Sequence, residues 1–178
     1  MNPKELMEII ENGESSTIQL KERVNNPYQI GTEMVAFANH RGGKIIIGVC
    51  DKTGEIKGMN FQDIQKTNQL LANASDNNVK PPVYIDTETV KVGDDRVIVV
   101  TVPEALSKPV LDNKGIAWIK NGADKRRVTS QDEMRRLFQQ SGLLLADEQI
   151  VENSSAEDIN RKILNLLLEK KTGQFVEE

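Results

Sequence analysis

The chain is poor in several features that usually announce a function. In 178 residues there is one cysteine, Cys50, one histidine, His40, and one tryptophan, Trp118. A lone cysteine excludes an internal disulfide and suits a reducing, cytoplasmic compartment. Lying in an apolar run, Cys50 reads as an inert buried thiol. His40 has no cysteine or second histidine to pair with, so no zinc site and no other resident metal is expected. No G-x-x-x-x-G-K-[ST] segment occurs, which leaves P-loop nucleotide hydrolysis without support. No apolar run approaches about 18 residues, so no membrane-spanning segment is expected. The opening MNPKELMEIIENGES is acidic and amphipathic, without the apolar core of a signal peptide. Aromatics make up only 4% of the chain, unlike modules that read single strands by stacking.

An excess of positive charge is missing too. The net charge is −4, against the basic surface common in nucleic-acid modules. That total is unevenly spread. Residues 1–142 carry 19 Lys/Arg and 19 Asp/Glu, whereas 143–178 carry 4 against 8. The body is neutral and the tail acidic.

What is present organises well. Asn2-Pro3 starts a helix with a side-chain cap and a proline in the first turn, and Leu6, Ile9 and Ile10 give it an apolar stripe ending at Asn12-Gly13. Ser16 to Lys21 alternates as a strand, with Ile18 and Leu20 on one face. After the Asn25-Asn26-Pro27 turn, a helix spans Tyr28 to Asn39, with Ile30, Met34, Phe37 and Ala38 at helical spacing. Gly42-Gly43 stops it and allows close packing of helix on strand. Lys44 to Cys50 is a continuous apolar strand buried on both faces, turned by Asp51-Lys52-Thr53-Gly54 into a short partner around Glu55 to Lys57. A helix follows from Phe61 to about Ser75, with Phe61, Ile64 and Leu71 inward. Val83–Val92 and Arg96–Val102 form a hairpin, and Ile116–Lys120 a strand before the turn pair Asn121-Gly122. Ser130-x-x-Glu133 is a capping box opening a helix with Met134, Leu137 and Phe138 that ends near Gly142. The segment Ala146 to Ser155 reads as a linker. Ser155-x-x-Asp158 then caps an amphipathic helix with Ile159, Ile163, Leu166 and Leu167 on one face, ending at Lys170-Lys171 and Gly173. The expected fold is α+β, a curved mixed sheet with hairpins and packed helices, in a domain over 1–142. Residues 143–178 add an acidic linker and a C-terminal helix.

The order of ESSTIQLK (Glu14 to Lys21), MVAFANHRGGKIIIGVCD (Met34 to Asp51) and TGEIKGM (Thr53 to Met59) resembles the AlbA_2 (Schlafen-like) DNA-binding family, formerly grouped with divergent AAA proteins. Its recurrent pattern is an ESxxxEFK strand, an AFANTxGG helix end, an apolar strand ending GVxD and a GxIxG turn. The likeness runs from about Glu14 to Gly142. It implies a nucleic-acid-binding role. Schlafen-type members include metal-dependent ribonucleases whose acidic site draws on both Glu of the first strand and an Asp after the apolar strand. Carried over by position, the catalytic candidates are Glu14 and Asp51, while the second Glu falls on Gln19. A Mg²⁺ or Mn²⁺ cofactor belongs only to that nuclease alternative; otherwise none is expected. Lys21 matches the family Lys, and His40 stands where the family has Thr or Ser. The family often places a winged-helix region next, and RKILNLLLEKKTGQ is similar to its first helix.

The basic stretch KNGADKRR, Lys120 to Arg127, suits phosphate contacts at a hairpin tip, or a solvated turn in which Arg126 pairs with an acidic neighbour. Trp118 reads as core. The expectation is a non-catalytic DNA- or RNA-binding module of a transcriptional regulator, contacting phosphates through Lys21, Arg41, Lys44, Lys125, Arg126 and Arg127. The alternatives are a Schlafen-type endonuclease, or an interaction module that forms homo-oligomers through the C-terminal helix.

Overall fold

Residues 1–141, 155, 158 and 160–172 are described by the computed structural model. The chain divides into two compact units, Met1–Leu144 and Leu145–Glu178. The first is built around a four-stranded mixed sheet in the order β1-β2-β5-β4, formed by β1 (Ile18–Lys21), β2 (Gly43–Ile47), β4 (Asp86–Val92) and β5 (Asp95–Val102). Strand β1 runs parallel to β2, and the other neighbours are antiparallel. A parallel pair needs a crossover, and helix α2 (Pro27–Asn39) supplies it. Two short ribbons complete the unit: β3 (Val79–Lys80) with β6 (Leu111–Asp112), and β7 (Trp118–Asn121) with β8 (Asp124–Arg127). The α+β expectation holds.

The strand period of two divides the core in two. Ile45 and Ile47 face α2 and α3 (Phe61–Asn78), packing with Met34, Phe37, Leu71 and Val100. Ile46 faces α1 (Pro3–Asn12), with Leu6, Ile10, Leu20 and Val99. Central β2 is therefore apolar on both sides, as its sequence requires. Caps fix the helix starts. Asn2 accepts from the Glu5 amide at 2.8 Å, and Asn26 accepts from the Tyr28 and Gln29 amides at 2.9 and 3.3 Å.

Several boundaries differ from expectation. Strand β1 begins at Ile18, because Ser15 and Thr17 are taken up in a local hydroxyl turn. Strand β2 ends at Ile47, because Gly48 at φ 106° leaves the ladder. The partner strand at 55–57 reduces to one bridge, Val49 to Ile56. Cys50 is consequently in a turn and only half-buried, not an inert core thiol. Hydrogen bonding from the Thr53 side chain lowers its pKa. Helix α3 runs on to Asn78, and Phe61 at its first turn is 67% exposed rather than inward. The first hairpin strand starts at Asp86, after Val83 has been drawn into the core. The capping box fails as well. Ser130 makes no side-chain cap to α4 (Gln131–Gln140), and Glu133 instead pairs with Arg126.

Of the second unit, α5 (Arg161–Thr172) is described. Asn160 caps it, accepting from the Lys162 and Ile163 amides, while Ser155 bonds to Asp158 upstream of the regular helix. Ile163, Leu166 and Leu167 are exposed. Most of the expected linker, together with Gly142, Ile159 and Gly173, lies outside the described residues.

The junction of α2 and β2 is closely packed. Gly42, at φ 70°, sends its N–H back to the Phe37 carbonyl at 2.9 Å. A Cβ on Gly43 would meet the Phe37 ring and stand 2.6 Å from the Thr17 carbonyl oxygen. A cation reaches this helix end from elsewhere in the chain. Lys108, almost fully buried, donates to the His40 carbonyl at 2.9 Å and to Glu104 at 2.6 Å. Burial, Arg41 and Lys108 push the His40 imidazole below its ordinary pKa of 6.5.

Two predictions follow from this junction. Gly43→Ala should destabilise by about 1–3 kcal/mol, read as a lower urea midpoint at unchanged slope. For His40 the sign is set by its lowered pKa: below 6.5 the unfolded chain takes up a proton that the folded chain refuses. Its contribution is a loss of stability as pH falls through that value, levelling off below the folded pKa. In His40→Asn the fall in melting temperature between about pH 7 and 5 should be smaller than in the parent chain.

Candidate functional site

A buried lysine organises the centre of the site. Strand β7 alternates, which directs Trp118 and Lys120 to the side that meets α2. The Lys120 ammonium donates to Gln19 Oε1 at 2.9 Å and to the Ala123 carbonyl in the hairpin turn. It stands 4.0 Å from Glu33 Oε2 on α2 and 4.9 Å from the Phe37 ring centroid. Burial pushes its pKa down, while Glu33 and Glu14 act in the opposite direction. Glu33 is only 8% exposed. Its Oε1 accepts from Lys125 of β8 at 2.7 Å, and its Oε2 is buried without a hydrogen-bond partner among the described residues.

Next to this centre lies a groove of about 410 Å³, lined by Lys21, Arg23, Tyr28, Trp118, Lys125 and Arg127 among others, with Glu33 in its wall. Asp112 orients both aromatic rings. Its Oδ2 accepts from Tyr28 Oη and from Trp118 Nε1, each at 2.9 Å, and its Oδ1 accepts from the Lys114 and Ile116 amides. Burial raises the Asp112 pKa, but these donors outweigh it and hold the carboxyl below its ordinary value. Cations lie over the rings: Lys114 is 4.1 Å from the Tyr28 centroid and Arg127 5.2 Å from that of Trp118. Arg23 is paired with Asp63 at 2.8 Å. Among the described residues no carboxylate pairs with Lys21 or Arg127.

The expected site residues thus fall into separate places. Lys21, Lys125 and Arg127 converge on the groove. Arg126, on the other face of β8, is engaged by Glu133. Arg41 lines a second cavity of about 470 Å³ with His40, Lys108 and Arg136. Lys44 lies on the α1 face of the sheet, since it shares a strand face with Ile46, and donates to Thr101 at 3.3 Å. Glu14 accepts from the Gln19 amide group and from the Leu20 N–H at 2.9 Å. Asp51 lies in the turn after Cys50, in a shallow depression with Glu11 and Lys52.

These positions do not fit a divalent cation. The second acidic position is an amide, and the carbonyl oxygen of that amide already accepts from an ammonium ion. Among the described residues no group of three or more His, Cys, Asp or Glu is placed to hold a metal.

Sequence reading overlooks Glu33, Arg23, Tyr28 and Asp112, and takes Lys120 only as part of a basic stretch suited to phosphate contacts. One signal was available: Glu33 sits three residues after Ile30 and four before Phe37, so a charge lies on the apolar stripe of α2. A carboxylate there needs a cation from another element.

Residues 14–129 match the family model described as Schlafen, AlbA_2. No curated protein matches the chain. Among solved structures, the DIP2311 protein from Corynebacterium diphtheriae is similar at TM-score 0.55 and 22% identity, covering 92% of this chain and 34% of its own. This chain therefore spans about a third of that protein's length. The N-terminal domain of a RecG-related protein from Nitrosomonas europaea is similar at TM-score 0.50 and 21% identity, covering 74% of this chain and 96% of its own. Both likenesses concern the fold. No helix among the described residues is long and apolar enough to cross a membrane. The family match spans most of the sheet-and-helix unit, including the segments that build the groove, and the chain belongs to the Schlafen AlbA_2 family.

Proposed function

We propose that the first unit is a non-catalytic nucleic-acid-binding module that grips the phosphate backbone through its basic groove. One observation carries this reading: Lys21 and Arg23 from β1 and its exit, and Lys125 and Arg127 from β8, line the same groove. Two of these four cations, Lys21 and Arg127, have no carboxylate partner among the described residues. A chain of net charge −4 thereby gains a local anion-binding surface. Family membership and the fold likeness to a RecG-related protein point the same way. The non-catalytic part rests on Gln19 and Lys120, an amide and an ammonium where a metal-dependent nuclease needs carboxylates. DNA and RNA are both candidate ligands, and a transcriptional role fits such a module.

The test is fluorescence anisotropy with labelled duplex and single strands at two salt concentrations, Mn²⁺ present, followed by gels. Affinity should fall steeply with salt while the nucleic acid stays intact. Lys21→Ala and Arg127→Ala should each weaken binding to all sequences alike and reduce the salt slope by about one. Lys44→Ala, on the opposite sheet face, should change neither. Affinity that is flat with salt overturns the phosphate mechanism, and cleaved product overturns the non-catalytic assignment.

The C-terminal helix supports a separate proposal, homo-oligomerisation, because Ile163, Leu166 and Leu167 present an exposed apolar stripe. Removing residues 156–178 should yield a monomer by light scattering, and an unchanged mass refutes it.

A further inference from the structure

The second cavity, at the end of α2, shares no lining residue with the groove. Arg41 contributes to it from just beyond that helix and Arg136 from α4, while Ile119, Val128 and Leu137 add apolar lining. Both arginines are exposed, hence open to a ligand from solvent. Lys108 and Lys120 also line the cavity, against two carboxylates, Glu104 and Glu133. Both carboxylates are already taken. Glu104 accepts from Lys108 at 2.6 Å, and Glu133 is held by Arg126. Among the described residues no carboxylate pairs with Arg41 or Arg136.

The field inside this cavity is positive, and His40 in its wall reports it. Burial, then the cations Arg41, Lys108 and Lys120, disfavour a proton on His40, while Glu104 favours one. The part played by the cations marks a place that attracts an anion, and apolar walls strengthen the attraction. The partial negative charge at the end of α2 does not cancel it, because Lys108 donates to the His40 carbonyl there. A metal cation is repelled, and a neutral ligand leaves two guanidinium groups unused. A carboxylate offers one planar edge, which a single guanidinium saturates. Arginines brought in by two separate elements suit a tetrahedral anion, whose oxygens face several directions. The volume of about 470 Å³ leaves room for whatever carries that anion.

We propose that this cavity is a second phosphate-binding site, gripped by Arg41 and Arg136 and distinct from the groove. The β7–β8 ribbon serves both: Trp118, Lys125 and Arg127 line the groove, whereas Ile119 and Lys120 line the cavity. The phosphate has two candidate sources, a second backbone segment of a nucleic acid or a small phosphorylated molecule. Only the first rests on the nucleic-acid reading of the groove. A strand that engages both sites gains the second contact at high effective concentration. The charged groups around His40 are Arg41 beside it, Glu104 and Lys108 after β5, Lys120 of β7, and Glu133 and Arg136 of α4. A bound phosphate adds negative charge to this set, so His40 takes up a proton more readily when the site is filled.

Nuclear magnetic resonance reads the site without ambiguity, since His40 is the only histidine in the sequence. The full chain is titrated with inorganic phosphate, and separately with chloride and with succinate at matched ionic strength. Phosphate should shift the imidazole signals saturably and raise the pH at which His40 titrates, beyond any effect of the other two anions. Arg41→Gln and Arg136→Gln should each weaken the phosphate response about tenfold, and Lys44→Gln should preserve it. Both arginines are exposed, so the variants should stay folded, which thermal unfolding checks. A short duplex that moves the same signals in the same arginine-dependent way identifies a nucleic-acid backbone as the source. Duplex binding without a His40 response, phosphate still acting, identifies a small phosphorylated ligand. If no nucleic acid binds yet phosphate moves His40, the groove reading fails and this site stands. A phosphate response no greater than that of chloride or succinate, or one that survives both arginine substitutions, overturns the proposal.

Discussion

The Lys120 ammonium is the pivot of the molecule. A cation withdrawn from water is costly unless its donors are used, and breaking such a buried arrangement typically costs about 3–5 kcal/mol. Here the donors join three parts of the chain far apart in sequence: Gln19 on β1, Ala123 in the hairpin turn, and the neighbourhood of Glu33 on α2. The β7–β8 ribbon is not part of the main sheet. Lys120 fastens it there, and Lys125 adds a second tie to Glu33. The alternation of β8 then decides the rest, sending Lys125 and Arg127 into the groove and Arg126 away to Glu133. One interaction therefore positions the basic groove and engages the side-chain amide oxygen of Gln19 on β1.

How much of this was legible in the sequence depended on distance along the chain. Signals that act within a few residues were read correctly. These include the cap at Asn2, the helix stop at Gly42, the apolar period of α2 and the β4–β5 hairpin. Where local signals misled, a distant or stereochemical competitor won. Arg126 takes Glu133 from its capping role, and the positive φ of Gly48 cuts short an apolar run that composition alone would extend to Cys50. Phe61 has the composition of a core residue but lies in the first turn of α3, on its solvent side. The candidate site was least legible. Lys120 meets Gln19 across 101 residues, Lys125 meets Glu33 across 92, and Tyr28 meets Asp112 across 84. No spacing rule reaches that far. Of six basic residues singled out from sequence, the fold gathers three in one groove and places Arg41, Lys44 and Arg126 elsewhere.

Net charge proves a poor guide to the surface of this protein. A neutral body can still present a local positive field when some of its acids are engaged elsewhere, as Glu104 and Glu133 are. The acidic excess of residues 143–178 belongs to a different unit and says little about the groove.

Asp112 brings a last consequence. A single carboxylate anchors the Tyr28 hydroxyl and the Trp118 indole, and is itself fixed by the Lys114 and Ile116 amides. The two rings are thus not independent side chains waiting to be ordered. They form one braced platform whose rotamers are settled during folding. Whatever lies against them meets a surface whose conformational entropy has already been surrendered, so contact area there converts to affinity with less loss than on a mobile aromatic pair.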